Sequence, residues 1–249
     1  MSSVFQRKKT NILNKFNTGH TDASPKGFPD EPILDLLNLI NLHPELVTTS
    51  SCSGRLCVYV ESEIADNIGG KGAGGKWLMV KHEMWNESTK DSEILKEILG
   101  EYPFVKAVDS KDSEKGRLIH FKFEPMVLVS FFTLFMLISL KILHILAETV
   151  PTARTFLTYA LSSSFRESGL ILSKKNTVIT IRSSIGFDCP IGYLKKEQNI
   201  EFIQLLVNES YLYLLVDMAN RRFKENKRRK DMLYKNLSNW IMNTCEYKS

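Results

Sequence analysis

Val47-Thr48-Thr49-Ser50-Ser51-Cys52-Ser53-Gly54-Arg55 sets a thiol, several hydroxyls, a glycine and an arginine between two apolar runs. β-Branched Val47, Thr48 and Thr49 lead in and Leu56-Cys57-Val58-Tyr59-Val60 leads out, so both flanks read as strands. The small residues between them admit two readings. One is a Ser/Gly-rich hairpin connection, because turns select these residue types. The other is a backbone nest whose N–H groups approach an anion or a polar ligand.

Upstream, Ile33, Leu36, Leu37 and Ile40 mark the buried stripe of a helix over residues 33–42, with Pro32 at its start and His43-Pro44 at its end. Residues 19–32 form a polar loop in which Asp22, Ser24 and Lys26 alternate. An extended backbone points these three the same way, whereas the plain alternative is a solvated linker. A short basic helix over residues 4–17 carries Phe5, Ile12, Leu13 and Phe16 on one face.

Downstream, Gly69 to Lys76 resembles a phosphate loop only in its glycines. The P-loop pattern needs a hydroxyl residue after its lysine and then a helix, whereas Trp77 to His82 reads as a strand, so the glycines predict a hairpin tip. Trp77 and His82 can face a ligand from that strand or pack in the core. A helix over residues 90–101 and a strand over residues 118–125 follow. Met126 to Leu140 is then an uncharged run of fifteen residues, short of the roughly 20 that span a bilayer, and no stable membrane association is expected. Beyond a helix at residues 152–164, Leu170–Ser173 and Thr177–Arg182 form a hairpin about Lys174-Lys175-Asn176. Ser183-Ser184-Ile185-Gly186 repeats in miniature the order of strand, hydroxyls and glycine. The last expected element is a long helix over residues 200–245, apolar at first and then basic from Arg221 to Lys230. That basic part is either a solvated helix face or a docking surface for RNA phosphates.

A chain of 249 residues with net charge +5 permits a nucleic-acid partner without demanding one. Cys52, Cys57, Cys189 and Cys245 contain no CxxC pair, no His stands beside them at metal-ligand spacing, and residues 1–9 carry no apolar signal core. A cytoplasmic setting with free thiols and no metal is expected. No GxGxxG loop follows a first strand, which argues against a Rossmann arrangement. The expected fold is therefore α+β in one domain over residues 1–249: a compact mixed or antiparallel sheet with flanking helices and a long C-terminal helix.

Asp22-x-Ser24-x-Lys26-Gly27-x-x-Asp30-Glu31, Thr49 to Arg55, Trp77-Leu78-x-Val80-x-His82, Phe121-Lys122-Phe123-Glu124-Pro125, Phe165-Arg166-x-Ser168-Gly169 and Arg182-Ser183 occur in that order. Together they resemble the wybutosine-synthesising protein 3 family over nearly the whole chain. The resemblance implies an S-adenosyl-L-methionine-dependent methyltransferase acting on N4 of a wyosine-type tricyclic base beside the anticodon, at position 37 of phenylalanine tRNA. For that chemistry Asp22, His82 and His144 are the candidate proton acceptors. Ser24, Lys26, Ser50, Ser51, Cys52, Ser53, Gly54, Arg55, Trp77, Arg166, Arg182 and Ser183 are the candidate binding residues. Arg55 and the N–H groups of Ser53 and Gly54 suit a carboxylate or a phosphate, and Trp77 suits a stacked base or a sulfonium. Cys52 is read as a small structural thiol, with a redox or covalent role as the alternative.

One departure stands out. The family pattern E-P-x-x-x-H is met only if about fifteen residues, Val129 to Leu143, are removed, which joins Leu128 to His144. This block is expected to be a retained intron or a gene-model error, since Val129-Ser130 is what GTAAGT encodes. If it is translated, a non-catalytic tRNA-binding module is the alternative function.

Overall fold

The chain does not turn back on itself after Ser50. In the computed structural model, which describes residues 3–17, 30–61, 75–106, 116–125 and 143–246, β1 (Leu46–Ser50) and β2 (Arg55–Val60) lie in different sheets. The hairpin reading of Val47 to Arg55 is thereby corrected: its small residues carry the chain from one sheet into the other.

The smaller sheet also contains β6 (Leu143–Ala147), β7 (Gly169–Leu172) and β8 (Thr177–Ile181), in the order β1-β6-β8-β7, all antiparallel. The larger contains β3 (Lys76–Lys81), β4 (Phe104–Lys106), β5 (Arg117–Glu124), β9 (Phe187–Glu197) and β10 (Ile200–Leu205), in the order β3-β2-β5-β9-β10-β4. Only the short pairing of β10 with β4 is parallel among the described residues. The fold is α+β as expected, with two sheets and no Rossmann-type run of parallel strands.

Register explains why this architecture makes a site. Ser50 stands opposite His144 and Leu143 opposite Ile181 in the smaller sheet, while Arg55 faces Glu124 and Phe123 faces Phe187 in the larger. The chain passes between the sheets at residues 51–54, 125–142 and 182–186, and the strand ends that flank these passages are thus neighbours. Gly54 takes φ +99° in the first, a conformation that favours glycine. Gly186 presses the third against the middle one, where a Cβ would meet Phe123 O at 3.0 Å and Pro125 Cδ at 3.2 Å.

Five α-helices cover the sheets: α1 (Val4–Asn17), α2 (Leu34–Leu42), α3 (Asp91–Leu99), α4 (Val150–Ser162) and α5 (Glu209–Glu246). A 3₁₀ turn at Glu31–Ile33, with Pro32 at its start, leads into α2. Thr149 caps α4 by accepting from the Thr152 N–H. The 38 residues of α5 span about 57 Å. Its first half contributes Leu212, Leu215 and Phe223 to the core of the larger sheet, and its second contributes Leu233, Leu237 and Ile241 to that of the smaller. Consequently its basic stretch lies over the passages.

The predicted helix over residues 200–245 is corrected at its start, since Ile200–Leu205 is a strand and the helix begins at Glu209. Gln198 (φ +48°) and Asn199 (φ +67°) make a tight turn that folds β10 back onto β9, and pairing with β9 and β4 outweighs local helix preference. The expected elements at residues 4–17, 33–42, 90–101 and 118–125, and the hairpin at residues 170–182, correspond to α1, α2, α3, β5 and the β7–β8 pair. The glycine-rich tip and most of the apolar block lie outside the described residues. Leu143 is the exception, being the first residue of β6.

Candidate active site

At the first passage, the backbone nest is present but already filled. The Ser53 N–H and Oγ donate to Asp30 Oδ2 at 2.9 and 3.1 Å, so the anion in the nest is the protein's own carboxylate. His82 Nδ1 lies 3.0 Å from Gly54 O and 3.4 Å from Asp30 Oδ2. Burial is the main cause that pushes the Cys52 thiol up, opposed by a hydrogen bond from Gly54 and reinforced by the Asp30 charge. This supports the structural reading of Cys52, because a thiol held neutral is a poor nucleophile.

Arg55 Nε donates to Glu124 Oε2 at 2.6 Å, an ion pair in which both side chains are largely buried. Its guanidinium also sits 5.0 Å from the Trp77 ring centroid. Trp77 remains partly exposed, with Tyr59 4.8 Å away. Arg55 therefore holds the first passage to β5 and supports one face of Trp77.

The second and third passages bring different chemistry. His144 is anchored through its backbone, where Thr49 Oγ1 donates to His144 O at 3.0 Å. Its ring Nε2 is buried and has no hydrogen-bond partner among the described residues. Burial first and the nearby Arg182 charge second push its pKa below the ordinary imidazole value, keeping the ring neutral. Arg182 Nε is likewise buried and unpartnered, while the Arg182 backbone N–H donates to Ser168 Oγ at 3.1 Å. His144 also lines an open cavity of about 390 Å³ with Lys8, Thr49 and Asn176, within the usual size range of small-molecule sites.

Helix α5 ties the passages together from behind. Asn226 is buried and donates from Nδ2 to Ser53 O at 2.8 Å. Arg229 donates from Nη1 to Ser164 O at 3.0 Å and to Ser183 Oγ at 3.3 Å, and from Nε to Glu225 Oε1 at 2.7 Å. Lys230 Nζ is hydrogen-bonded to Pro32 O. Arg228 and Arg229 share Glu225, whose carboxyl they hold at about 2, and Arg221 pairs with Asp217. Much of the basic run is thus spent inside the protein. Arg222, Lys224 and Lys227 have no such partner among the described residues.

The structure accordingly brings Cys52, Ser53, Gly54, Arg55, Trp77 and His82 together around the first passage and sets Arg182 near His144, while Ser183 contacts Arg229. Arg166 is exposed just after α4, and Ser51 is half-buried beside Cys52. Asp22, Ser24, Lys26 and the Ser50 side chain lie outside the described residues. The sequence assigned no role to Asp30 or Glu124, and placed Asn226 and Arg229 only within the basic stretch read as a solvated face or an RNA-docking surface. A usable signal exists for Asn226: it interrupts the apolar stripe of α5 between Phe223 and Leu233 at helical spacing, which marks a buried polar contact.

The chain matches the family described as Methyltransferase TYW3 over residues 7–239. It is 34% identical to the Saccharomyces cerevisiae protein named tRNA wybutosine-synthesizing protein 3, over 97% of this chain and 83% of that one. It is 33% identical to the Schizosaccharomyces pombe protein of the same name, over 95% and 88%. Among solved structures, PH1069 protein from Pyrococcus horikoshii is similar with a TM-score of 0.65 and 25% identity, covering 94% of this chain and 95% of that one.

Proposed function

Because this chain belongs to the Methyltransferase TYW3 family, we propose that it methylates N4 of the wyosine-type tricyclic base at position 37 of phenylalanine tRNA, using S-adenosyl-L-methionine. The names of the relatives support wybutosine synthesis on tRNA as its setting. Membership of a methyltransferase family favours the enzyme over a non-catalytic tRNA-binding module. No helix among the described residues is long and apolar enough to cross a membrane, and a cytoplasmic site of action is part of the proposal.

What supports the reading is that Nε2 of His144 and Nε of Arg182, whose charge acts on His144, are both buried with no partner among the described residues. Leaving polar atoms buried without partners costs about 1–3 kcal/mol each, a penalty that a bound ligand removes. When bound, the donor supplies a sulfonium methyl that the amine nitrogen attacks in line, leaving a neutral thioether. His144 Nε2 accepts the proton that N4 sheds, and Arg182 Nε donates to an oxygen of the bound donor or base. Trp77, partly exposed and braced by Arg55, serves for stacking. Arg222, Lys224 and Lys227 on α5 supply charge toward the phosphates. Positioning carries most of the acceleration, with effective molarities up to about 10⁵–10⁸ M in well-oriented systems.

Residues 129–143 are read as an insertion in the chain between β5 and β6. The first and third passages need four and five residues, whereas the middle one spends eighteen. Joining Leu128 to His144 would leave three, Pro125 to Val127, and place Leu128 where Leu143 now pairs with Ile181.

The test of the function is transfer of labelled methyl from S-adenosyl-L-methionine to phenylalanine tRNA that lacks this modification. Label in the position-37 nucleoside is the expected result. No transfer by this chain or by the chain lacking residues 129–143, with an active family member working in parallel, contradicts it.

A further inference from the structure

Asp30, Cys52 and His82 converge without a role in the proton transfer or the stacking. They offer one oxygen, one sulfur and one nitrogen, and these three atoms all lie within 4.8 Å of one another. Each comes from a different segment: the approach to the 3₁₀ turn, the first passage, and the residue after β3. We infer that these three side chains form a binding site for one zinc-class divalent ion, with the fourth coordination position open to water.

Four features support the site. A tetrahedral zinc ion with bonds of about 2.0–2.3 Å places its ligands about 3.3–3.8 Å apart, so the existing triangle needs to close by only about an ångström. Thiolate and imidazole beside one carboxylate select zinc-like ions over magnesium or calcium, which prefer all-oxygen shells. Asp30 is an anion with only 12% of its side chain exposed, and His82 is the one cation-forming group paired with it among the described residues. Finally, the ligands are held from outside: Ser53 fixes Asp30, and Asn226 fixes Ser53 O from α5. Such outer contacts pre-set ligand positions.

Binding converts the Cys52 thiol to a metal thiolate and releases its proton to solvent, while ligation through His82 Nδ1 moves the ring proton to Nε2 and gives up the contact with Gly54 O, with no change in oxidation state. The ion would clamp the loop before α2, the first passage and the end of β3 to one another. The inference does not depend on methyl transfer, because it is read by metal binding alone.

Cobalt(II) is the probe, titrated into the full chain after dialysis against a chelator. The expected result is one ion per chain, visible bands of a tetrahedral site, and a sulfur-to-cobalt charge-transfer band that zinc abolishes by competition. Cys52→Ser, which leaves the Asp30–Ser53 contacts in place, loses the charge-transfer band and weakens binding at least tenfold. His82→Asn also weakens it at least tenfold, while Cys57→Ser and Cys189→Ser leave it unchanged. Circular dichroism of the metal-free variants checks that each is folded. Absence of the charge-transfer band in the folded wild-type chain, or its survival in Cys52→Ser, overturns the site.

Discussion

His144 and His120 stand in opposite circumstances within one small protein. On the surface of the larger sheet, His120 Nδ1 lies 2.7 Å from Asp188 Oδ1 and its Nε2 lies 3.0 Å from Glu61 Oε1, while Lys122 Nζ completes the network at 2.9 Å from Asp188 Oδ2. The hydrogen bond to Asp188 is the main cause that raises the His120 pKa, against burial. Burial alone would raise Asp188, but bonds from His120 and Lys122 hold its carboxyl at about 2. At the passages, by contrast, His144 Nε2 has no partner among the described residues and its pKa is lowered. A network with every group paired is structure; buried groups left unpaired, beside a cavity, are a site.

The sharpest way to break this contrast is to remove each imidazole in turn. His144→Ala should lower methyl transfer by about 10²–10⁴-fold, the usual worth of a general base, with the fold intact by circular dichroism. His120→Ala should leave the rate within a few-fold. Equal losses in a methyl-transfer assay would erase the distinction.

Deleting residues 129–143 comes next in size. The shortened chain should fold with the same two sheets, aggregate less during purification, and transfer methyl faster than the full chain. Sequencing the transcript checks the same point, and reads that consistently retain the block count against the intron reading. Unfolding of the shortened chain would show that the block belongs to the fold.

Asn226→Leu removes the buried donor to Ser53 O and should destabilise the chain by about 1–3 kcal/mol in denaturant unfolding, because a buried carbonyl loses its partner. Arg182→Met removes one of the two causes that lower His144. The acid limb of kcat/KM should then move to higher pH, toward the ordinary imidazole value of about 6.5.

The smallest effects are on stability, and they carry opposite signs. His120 is raised in the folded state, so its contribution is fully present below the unfolded value of about 6.5 and is lost as pH rises through its folded value. Asp188 is lowered to about 2, so its contribution is present above the unfolded value near 3.8 and is lost as pH falls toward 2. His144 is lowered, so acid destabilises the fold once the unfolded chain begins to take its proton near 6.5. Melting curves of His120→Asn across pH should lose about 0.2–1 kcal/mol on the acid side, since the group is partly exposed. His144→Gln should instead flatten the acid decline.

Much of this was legible in the chain where local pattern decides. The apolar stripe of α2 and the Lys174-Lys175-Asn176 turn specify their elements within a few residues. The passages were not legible, because Ser-Cys-Ser-Gly chemistry permits a sharp turn without stating whether the next strand joins the same sheet. β10 was missed for a related reason: its turn is Gln198-Asn199, with no glycine, and its partners β9 and β4 are set by tertiary contacts. In the candidate site, the density of reactive groups at Ser51 to Arg55 pointed to a stretch where Asp30, His82 and Asn226 converge. It did not reveal that the nest would be filled by Asp30, nor that Arg55 would be committed to Glu124, because those partners lie 23 and 69 residues away.

The central claim is that His144 is kept neutral and unpartnered for the substrate. Nitrogen-15 NMR titration of histidine-labelled protein tests it most directly, with and without the unmethylated anticodon stem-loop of phenylalanine tRNA. His144 should titrate below about 6.5 and shift when the stem-loop binds, while His120 should titrate above it and stay still. A His144 that titrates at or above the ordinary value, or that does not respond to the RNA, would contradict it.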